Sequence, residues 1–555
     1  MPRHIILLTL VAWGHLRPEC NLAINLVRRF PDLTISLVAD VDFLTNAIDE
    51  VKRIAGEGAK DIISRIRVIA AGHCATLLTP PPMSPDFNVN DHRWPTLDNI
   101  RAILRVVDSI VQDEPFEDDS GAAWDPVNQK PSLVIADMLM GDIAVPVKEK
   151  YKLPTYMFWA CNGFTLTRYF APIASGGQAK AFMEECDAIM ADEKKANGRS
   201  LARVAREVYC SSRRYASDIV KVKGLKPFYE WEDSPQDRWS PGMYWIIVGI
   251  FPFVQKTDGL ILPSTLALDV DGIQGVKEWY GGENSRPVFC LGPQLPLSYL
   301  DARIRSADEV SSISGNEVAI SYVGSRDQVH KEVDPSIAFL DAALAKHGAN
   351  SVLYITFGSF MFPKPEHVQY LFEVLMELEE PTPFLFAAAS PALSMPEELK
   401  ERIQASGRGL MVPWAPQQSV LLHPATGWAL SHCGHGGITE SLAQGVPIIA
   451  WPISFDQPHN ARWMTEVLDT AFELLQVRQG VAQKRAYRCG PDAQDMTGTE
   501  DAIKSEMRDV LGRCRGEEGR RKRERAREVK QVMLDARKTG GQIDQHYELL
   551  GKLIA

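Results

Sequence analysis

The amino-acid sequence predicts an α/β fold built from two Rossmann-like domains, each with a parallel sheet, facing across a cleft. Three observations predict it. Strand-like apolar runs alternate with helical patterns through the first part of the chain, an irregular stretch from Leu291 to about Val333 interrupts them, and the alternation resumes at SVLYITFGS. Repeated β–α units imply parallel strands, because parallel neighbours need a long crossover and a helix supplies it. A chain of 555 residues with 45% apolar content exceeds one ordinary core and divides into two, with a ligand cleft expected between them.

Taken in order, IILLTLVAW reads as the first strand, running to Trp13, and PECNLAINLVRRF as a helix reaching about Arg29. LTISLVAD, a helix near Phe43 to Ala55, IRVIAA and SLVIADML continue the pattern. The segment Leu78 to Trp94, LTPPPMSPDFNVNDHRW, is proline-rich and irregular, which suits a loop over a site, with Met83, Phe87 and Trp94 available to line it. From about Gln178 to Arg238 the sequence turns helical and charged. These features assign residues 1–300 to the first domain and 301–334 to a linker. The second domain, 335–534, begins at Pro335 and runs through SVLYITFGS, a helix near His367 to Leu378, TPFLFAAA and GLMVPW. Glu517 to Lys538 reads as a charged, solvated helix. The last segment, 535–555, carries Leu and Ile at helical spacing and is expected to pack back on the first domain.

The formal charge of −11 sets a field that repels nucleic acid and anionic membrane, so any anionic ligand must be held by a local arrangement of donors. Nine cysteines, an odd number without a C-x-x-C pair, argue against a disulfide framework or structural zinc and for a reducing compartment. The apolar run Ile5 to Trp13 lacks a small-residue cleavage site and leads into an amphipathic stretch, so a strand is expected there and not a signal peptide. Tyr244 to Val254 is too short to cross a bilayer. A cytoplasmic protein without stable membrane insertion is the expectation.

The block from Trp414 to Gln457, WAPQQSVLLHPATGWALSHCGHGGITESLAQGVPIIAWPISFDQ, concentrates the chemistry. HCGHGG followed by ITESLAQG is a turn opening a helix. Gly434, Gly436 and Gly437 let backbone N–H groups approach an anion, and the helix N-terminus adds partial positive charge, so phosphate is the natural guest. Trp414 offers a plate for a base, Glu440 an acceptor for a ribose diol, and Asp456 and Gln457 partners for further hydroxyls. Together they read as a nucleotide-sugar site.

With Trp414, Gln417, His423, Gly427, His432, Cys433, Gly434, Glu440, Gly445, Pro447, Pro452, Asp456 and Gln457 in register and no insertion, the block resembles the donor-binding box of plant UDP-dependent glycosyltransferases of the GT-B fold, glycosyltransferase family one. The resemblance continues in GHLRP, LVIADML, YITFGS and the ending ARKTGG…LLGKLI, and a fungal or similar cytosolic member is implied. It further implies that Trp414 stacks on uracil, that Gln417 and Glu440 hold the ribose, and that His432 with Ser359 binds the diphosphate. It makes His15 the base that deprotonates the acceptor hydroxyl and Asp137 the acid that orients it, a pairing imidazole chemistry suits near neutral pH. The first domain would then bind the acceptor and the second the UDP-sugar. Where plant members usually carry Trp-Asn-Ser, this chain has His435, Gly436 and Gly437, which replaces side-chain phosphate contacts by backbone and alters the wall beside the sugar.

The implied reaction is an inverting transfer of glucose or xylose from a UDP-sugar to a hydroxyl of a small lipophilic acceptor, such as a terpenoid or phenolic secondary metabolite. No cofactor and no metal are expected, since UDP-sugar is the donor substrate; the strings Asp40-Val41-Asp42 and Asp269-Val270-Asp271 read as polar strand exits. Two alternatives stand beside it: a nucleotide-sugar epimerase of related two-domain fold, and an inactive UDP-sugar-binding protein. His15 and Asp137 argue against the second, the aromatic loop near Phe87 against the first.

Overall fold

A computed structural model of the protein describes residues 3–9, 12–56, 59–73, 96–209, 219–236, 241–281, 286–301, 334–358, 362–388 and 395–554. Met83, Phe87, Trp94 and Ser359, and the expected linker apart from its two ends, lie outside the described residues.

The first domain holds a seven-stranded parallel sheet among the described residues: β1 (Arg3–Leu8), β2 (Leu33–Ala39), β3 (Ile66–Ala70), β4 (Leu133–Asp137), β5 (Thr155–Phe158), β6 (Gly259–Leu262) and β7 (Val288–Cys290), in the order β7-β6-β5-β4-β1-β2-β3. Central β1 is apolar at consecutive positions because it is buried on both faces. Ile6 and Leu8 enter one core, shared with Val106, Ile143 and Phe253, and Ile5 and Leu7 enter the other, shared with Ile24 and Val27. That is the period-two alternation of a strand.

The first strand ends at Leu8, short of the predicted Trp13. Trp13 instead begins helix α1 (Trp13–Arg29), which buries Leu16, Cys20, Ala23, Ile24 and Val27 along one stripe. The apolar run therefore takes in a buried strand and the half-buried start of a helix, two environments that share one composition. Helix α2 (Gly163–Phe170) follows β5, and helix α3 (Val270–Val276) follows β6. Asp269, expected as a polar strand exit, is 2% exposed and caps α3 by accepting from the Gly272 amide at 3.1 Å. Burial pushes its carboxyl up to about 8 against the backbone donors that favour the ionised form.

The second domain holds a six-stranded parallel sheet among the described residues: β8 (Val352–Thr356), β9 (Phe384–Ala387), β10 (Gly409–Val412), β11 (Thr426–Ser431), β12 (Ile448–Ala450) and β13 (Ala471–Glu473), in the order β10-β9-β8-β11-β12-β13. Val352 and Tyr354 face one core and Leu353 and Ile355 the other. Its site-bearing helices are α4 (Gln417–Leu422), α5 (His435–Ala443) and α6 (Gln457–Arg462). Helix α7 (Glu517–Ala536) is solvated on one face only; Ala526, Val529 and Met533 are buried in the same core as Ile438 and Leu442 of α5. Helix α8 (Gln542–Ile554) returns to the first domain, where Ile543, Tyr547, Leu550 and Ile554 join the core of β1 and β2. No helix among the described residues is long and apolar enough to cross a membrane.

Buried charge joins the domains. Glu232, in a segment inserted between β5 and β6, accepts from Arg462 and Arg478 of the second domain at 3.1 and 3.2 Å. Asp233 beside it bridges Arg168 at 2.6 Å and the ring of His459 at 2.9 Å.

Candidate active site at the cleft

Both sheets present the C-terminal ends of their strands to the cleft, where parallel sheets bind ligands. In the first domain Ala136 pairs with Leu8, so Asp137 emerges just beyond the end of β1, facing the first turn of α1. His15 in that turn places its Nδ1 2.8 Å from Asp137 Oδ2. The other carboxylate oxygen, Oδ1, accepts from the Leu139 amide at 2.9 Å. Asp137 is fully buried. Burial disfavours the charged imidazole, but Asp137, and more weakly Asp456 across the cleft, outweigh it and raise the His15 pKa above its ordinary 6.5. With Nδ1–H bound to Asp137, Nε2 keeps the lone pair.

In the second domain Thr356 pairs with Ser431, which brings Gly358 beside His432 and the glycine turn. A Cβ on Gly358, whose φ is +70°, would lie 2.7 Å from the His432 ring, and one on Gly434 also 2.7 Å from it. Only glycine on both sides leaves room for the ring. Burial holds His432 down to about 4, against a bond to the Thr356 backbone, so the ring is neutral at physiological pH. Cys433 takes the left-handed conformation, φ +70°, and Gly434 is the N-cap of α5 and makes no side-chain capping bond. Gly436 and Gly437 lie in its first turn. The His435 amide is taken by Asp456, while no side chain bonds the amides of Gly436 and Gly437, which leaves those two for an anion.

Gln417 opens α4 and donates to Glu440 Oε2 at 2.5 Å while Tyr354 donates to Gln417 Oε1 at 3.2 Å. Glu440 Oε1 accepts from Gln418 at 2.8 Å and from Arg17 of α1, across the cleft, at 3.0 Å. Trp414 follows β10 and is half-buried. Asp456 is the N-cap of α6; its Oδ2 accepts from the His435 amide at 3.1 Å and from Asn460 at 2.7 Å. Burial raises it to about 6. Gln457 turns Oε1 inward to the amides of Ile453 and Ser454 at 2.9 and 3.2 Å, bracing the loop before Asp456.

The structure thus joins His15 to Asp137, Gln417 to Glu440, and His432 to the glycine turn, and sets Asp456 close enough to His15 to act on its charge. Sequence reasoning missed the residues that tie one half to the other. Arg17 lies inside GHLRP, where the resemblance implies no role for it. Phe455, inside the box, has φ +57° and stacks on Tyr169 at 4.7 Å, anchoring the turn before Asp456 in the first domain. Asn460 and Asn162 meet across the cleft; a lone Asn in a helical pattern carries no such signal.

The chain is similar to known sugar transferases. The family model for UDP-glucoronosyl and UDP-glucosyl transferases matches residues 320–479. The chain is 26% identical over 517 residues to UDP-glycosyltransferase eriJ of Hericium erinaceus, covering 92% of this chain and 90% of that one. It is 30% identical over 217 residues to an anthocyanidin 3-O-glucosyltransferase of Zea mays, covering 38% and 40%. Medicago truncatula UGT71G1, solved with UDP-glucose, shares the fold over 100% of this chain and 99% of its own, with a TM-score of 0.65 at 17% identity. Residues 320–479 thus match the UDP-glucoronosyl and UDP-glucosyl transferase family, the chain is similar along most of its length to a UDP-glycosyltransferase, and it has the GT-B fold of these enzymes.

Proposed function

We propose that the enzyme transfers a sugar, glucose or xylose, from a UDP-sugar to the hydroxyl of a small lipophilic acceptor of the terpenoid or phenolic kind, with inversion at the anomeric carbon, in a cytoplasmic setting. His15 Nε2 takes the hydroxyl proton as the acceptor oxygen attacks the anomeric carbon. The bond to UDP breaks with its electron pair on the phosphate, whose charge meets the amides of Gly434, Gly436 and Gly437 and the ring of His432. Trp414 stacks on uracil, Gln417 and Glu440 take the ribose, and Asp456 and Gln457 face the sugar. Ser359 joins His432 at the diphosphate, and Met83, Phe87 and Trp94 line the acceptor side. UDP-sugar is the donor substrate, and no cofactor or metal enters the scheme.

The observation that carries this reading is the His15–Asp137 contact of 2.8 Å at the strand ends that face the donor box. The names of the maize relative and of the UDP-glucose complex support a hydroxyl acceptor and a glucose donor. Incubation with UDP-glucose and a panel of lipophilic alcohols tests it. Acceptor-dependent UDP release is expected; a new UDP-sugar formed without acceptor would make the protein an epimerase, and binding alone an inactive one. His15→Ala should lower transfer by about 10²- to 10⁴-fold with UDP affinity nearly intact, and equal loss of both would remove His15 as the base.

A further inference from the structure

Between the base and Asp456 two buried amides meet across the cleft. Asn162 Nδ2 donates to Asn460 Oδ1 at 2.9 Å, and Asn460 Nδ2 donates to Asp456 Oδ2 at 2.7 Å and to the Cys433 carbonyl at 2.9 Å. Asn460 is fully buried and Asn162 is 1% exposed. Asn162 stands at the N-cap of α2, where an Asn side chain ordinarily accepts from the helix's first amides. Here it makes no capping bond. The Asn162 side chain goes to the other domain instead.

An amide side chain has one acceptor end and one donor end, and which end faces a carboxylate decides whether the contact attracts or repels. Asn460 can hold Asp456 only while its Oδ1 points the other way, and the donor that keeps it there is Asn162. Resting on the function proposed above, we infer that Asn162 is a positioning residue for the donor sugar: through Asn460 it sets the carboxylate of Asp456 for the sugar hydroxyls, so part of the donor subsite is completed by the acceptor domain. Asn162 touches neither substrate in this scheme. It acts on the sugar half of the donor and leaves the uracil and ribose contacts alone.

The polarity of the pair makes the test sharp. Asn162→Ala removes the donor; Asn162→Asp, nearly the same shape, replaces it by an acceptor that draws the N–H groups of Asn460 away from Asp456 and turns its carbonyl toward it. Calorimetric affinities for UDP-glucose and for UDP are compared in the full-length protein. Asn162→Ala is expected to weaken UDP-glucose about tenfold and Asn162→Asp about a hundredfold, the range for leaving a buried polar group unpaired, with UDP changed by no more than about threefold. Asn162→Ala added to Asn460→Ala should cost little beyond Asn460→Ala alone, since the two act as one unit. Asn162→Asp no worse than Asn162→Ala, equal weakening of UDP and UDP-glucose, or additive effects would each overturn the inference. Because the readout needs no acceptor, a wild-type protein that binds UDP-glucose without transferring it counts against the proposed reaction, while the amide pair is still judged by its own affinity ratio.

Discussion

Replacing Asp137 by Asn exchanges one oxygen for an NH2 group in a fully buried site, and the structure dictates which oxygen changes. Oδ1 accepts from the Leu139 amide at 2.9 Å and Oδ2 faces His15 Nδ1 at 2.8 Å. The Leu139 N–H still needs an acceptor, so the amide oxygen stays on that side and the NH2 group turns to His15. It donates to Nδ1, forces the imidazole proton onto Nε2, and so leaves no lone pair facing the acceptor hydroxyl. Loss of activity of about 10⁴-fold accompanies this tautomer reversal in a hydrolase triad, and a loss of at least about 10³-fold in kcat is expected here.

The charge lost in Asp137→Asn has a second effect on the same ring. Burial lowers the His15 pKa, and Asp137 is the largest of the influences that raise it above 6.5. In the native enzyme kcat/KM should therefore climb with pH as His15 loses its proton, with a midpoint above 6.5; in the variant any residual limb shifts to lower pH. The pair also contributes stability that is present below about 6.5 and lost as pH rises through the raised folded value. Acceptor-dependent UDP release is measured from about pH 5 to 9, the range in which an imidazole titrates, with UDP affinity followed by calorimetry. Affinity for UDP, assigned to the other domain, should hold within about twofold, a change of about 0.4 kcal/mol. A variant within tenfold of native kcat, or an ascending limb at the native pH, would refute the assignment.

Two further substitutions test the donor half and the frame. Gly358→Ala sets a methyl 2.7 Å from the His432 ring and strains a φ of +70°, so UDP affinity should fall at least about tenfold, or about 1.4 kcal/mol; Gly348→Ala, strained at φ +82° but with nothing within 4 Å, should destabilise similarly and bind UDP normally, and parallel loss in both would deny His432 its part. Glu232→Gln leaves Arg462 and Arg478 short of a buried counter-charge and should cost about 3–5 kcal/mol in chemical denaturation, as broken buried pairs do, whereas a loss below about 1 kcal/mol would show that their other partners suffice, Glu466 on Arg462 at 3.0 Å and Glu473 on Arg478 at 2.9 Å.

The parallel sheets were legible because a strand buried on both faces reads as an apolar run whatever its neighbours, as β1 and β8 do. Their ends were less so. Trp13 looks like strand and begins a helix, because burial fixes composition more strongly than backbone conformation does. The donor box was legible for a different reason: phosphate, ribose and base each need a particular residue type at a particular spacing along one short stretch. His15 and Asp137 lie far apart in sequence and were joined only by resemblance, yet they meet at 2.8 Å. What stayed hidden is pairwise. Nothing in the sequence near Glu440 announces Arg17, and nothing near Asp456 announces Asn162, since each partner sits on the other domain and its residue type alone is ordinary.

Those pairs share a physical logic. A UDP-sugar transferase built on two domains must hold a base on one and an anomeric carbon on the other, and a misplacement of about 1 Å can cost about a hundredfold in rate. An apolar interface would hold the domains together as well, because buried ion pairs gain little over hydrophobic contacts of equal volume. It would not fix them in one register. The contacts observed across the cleft are directional: Arg17 on Glu440, Asn162 on Asn460, Asp233 on His459, Glu232 on Arg462 and Arg478. Each fails if the domains slip by the length of one hydrogen bond, and a failed contact leaves a buried polar group exposed to its full desolvation cost. Two of them end on Glu440 and on Asp456 through Asn460, the carboxylates assigned to the donor. The interface that sets the domains in register is therefore continuous with the site that needs the register.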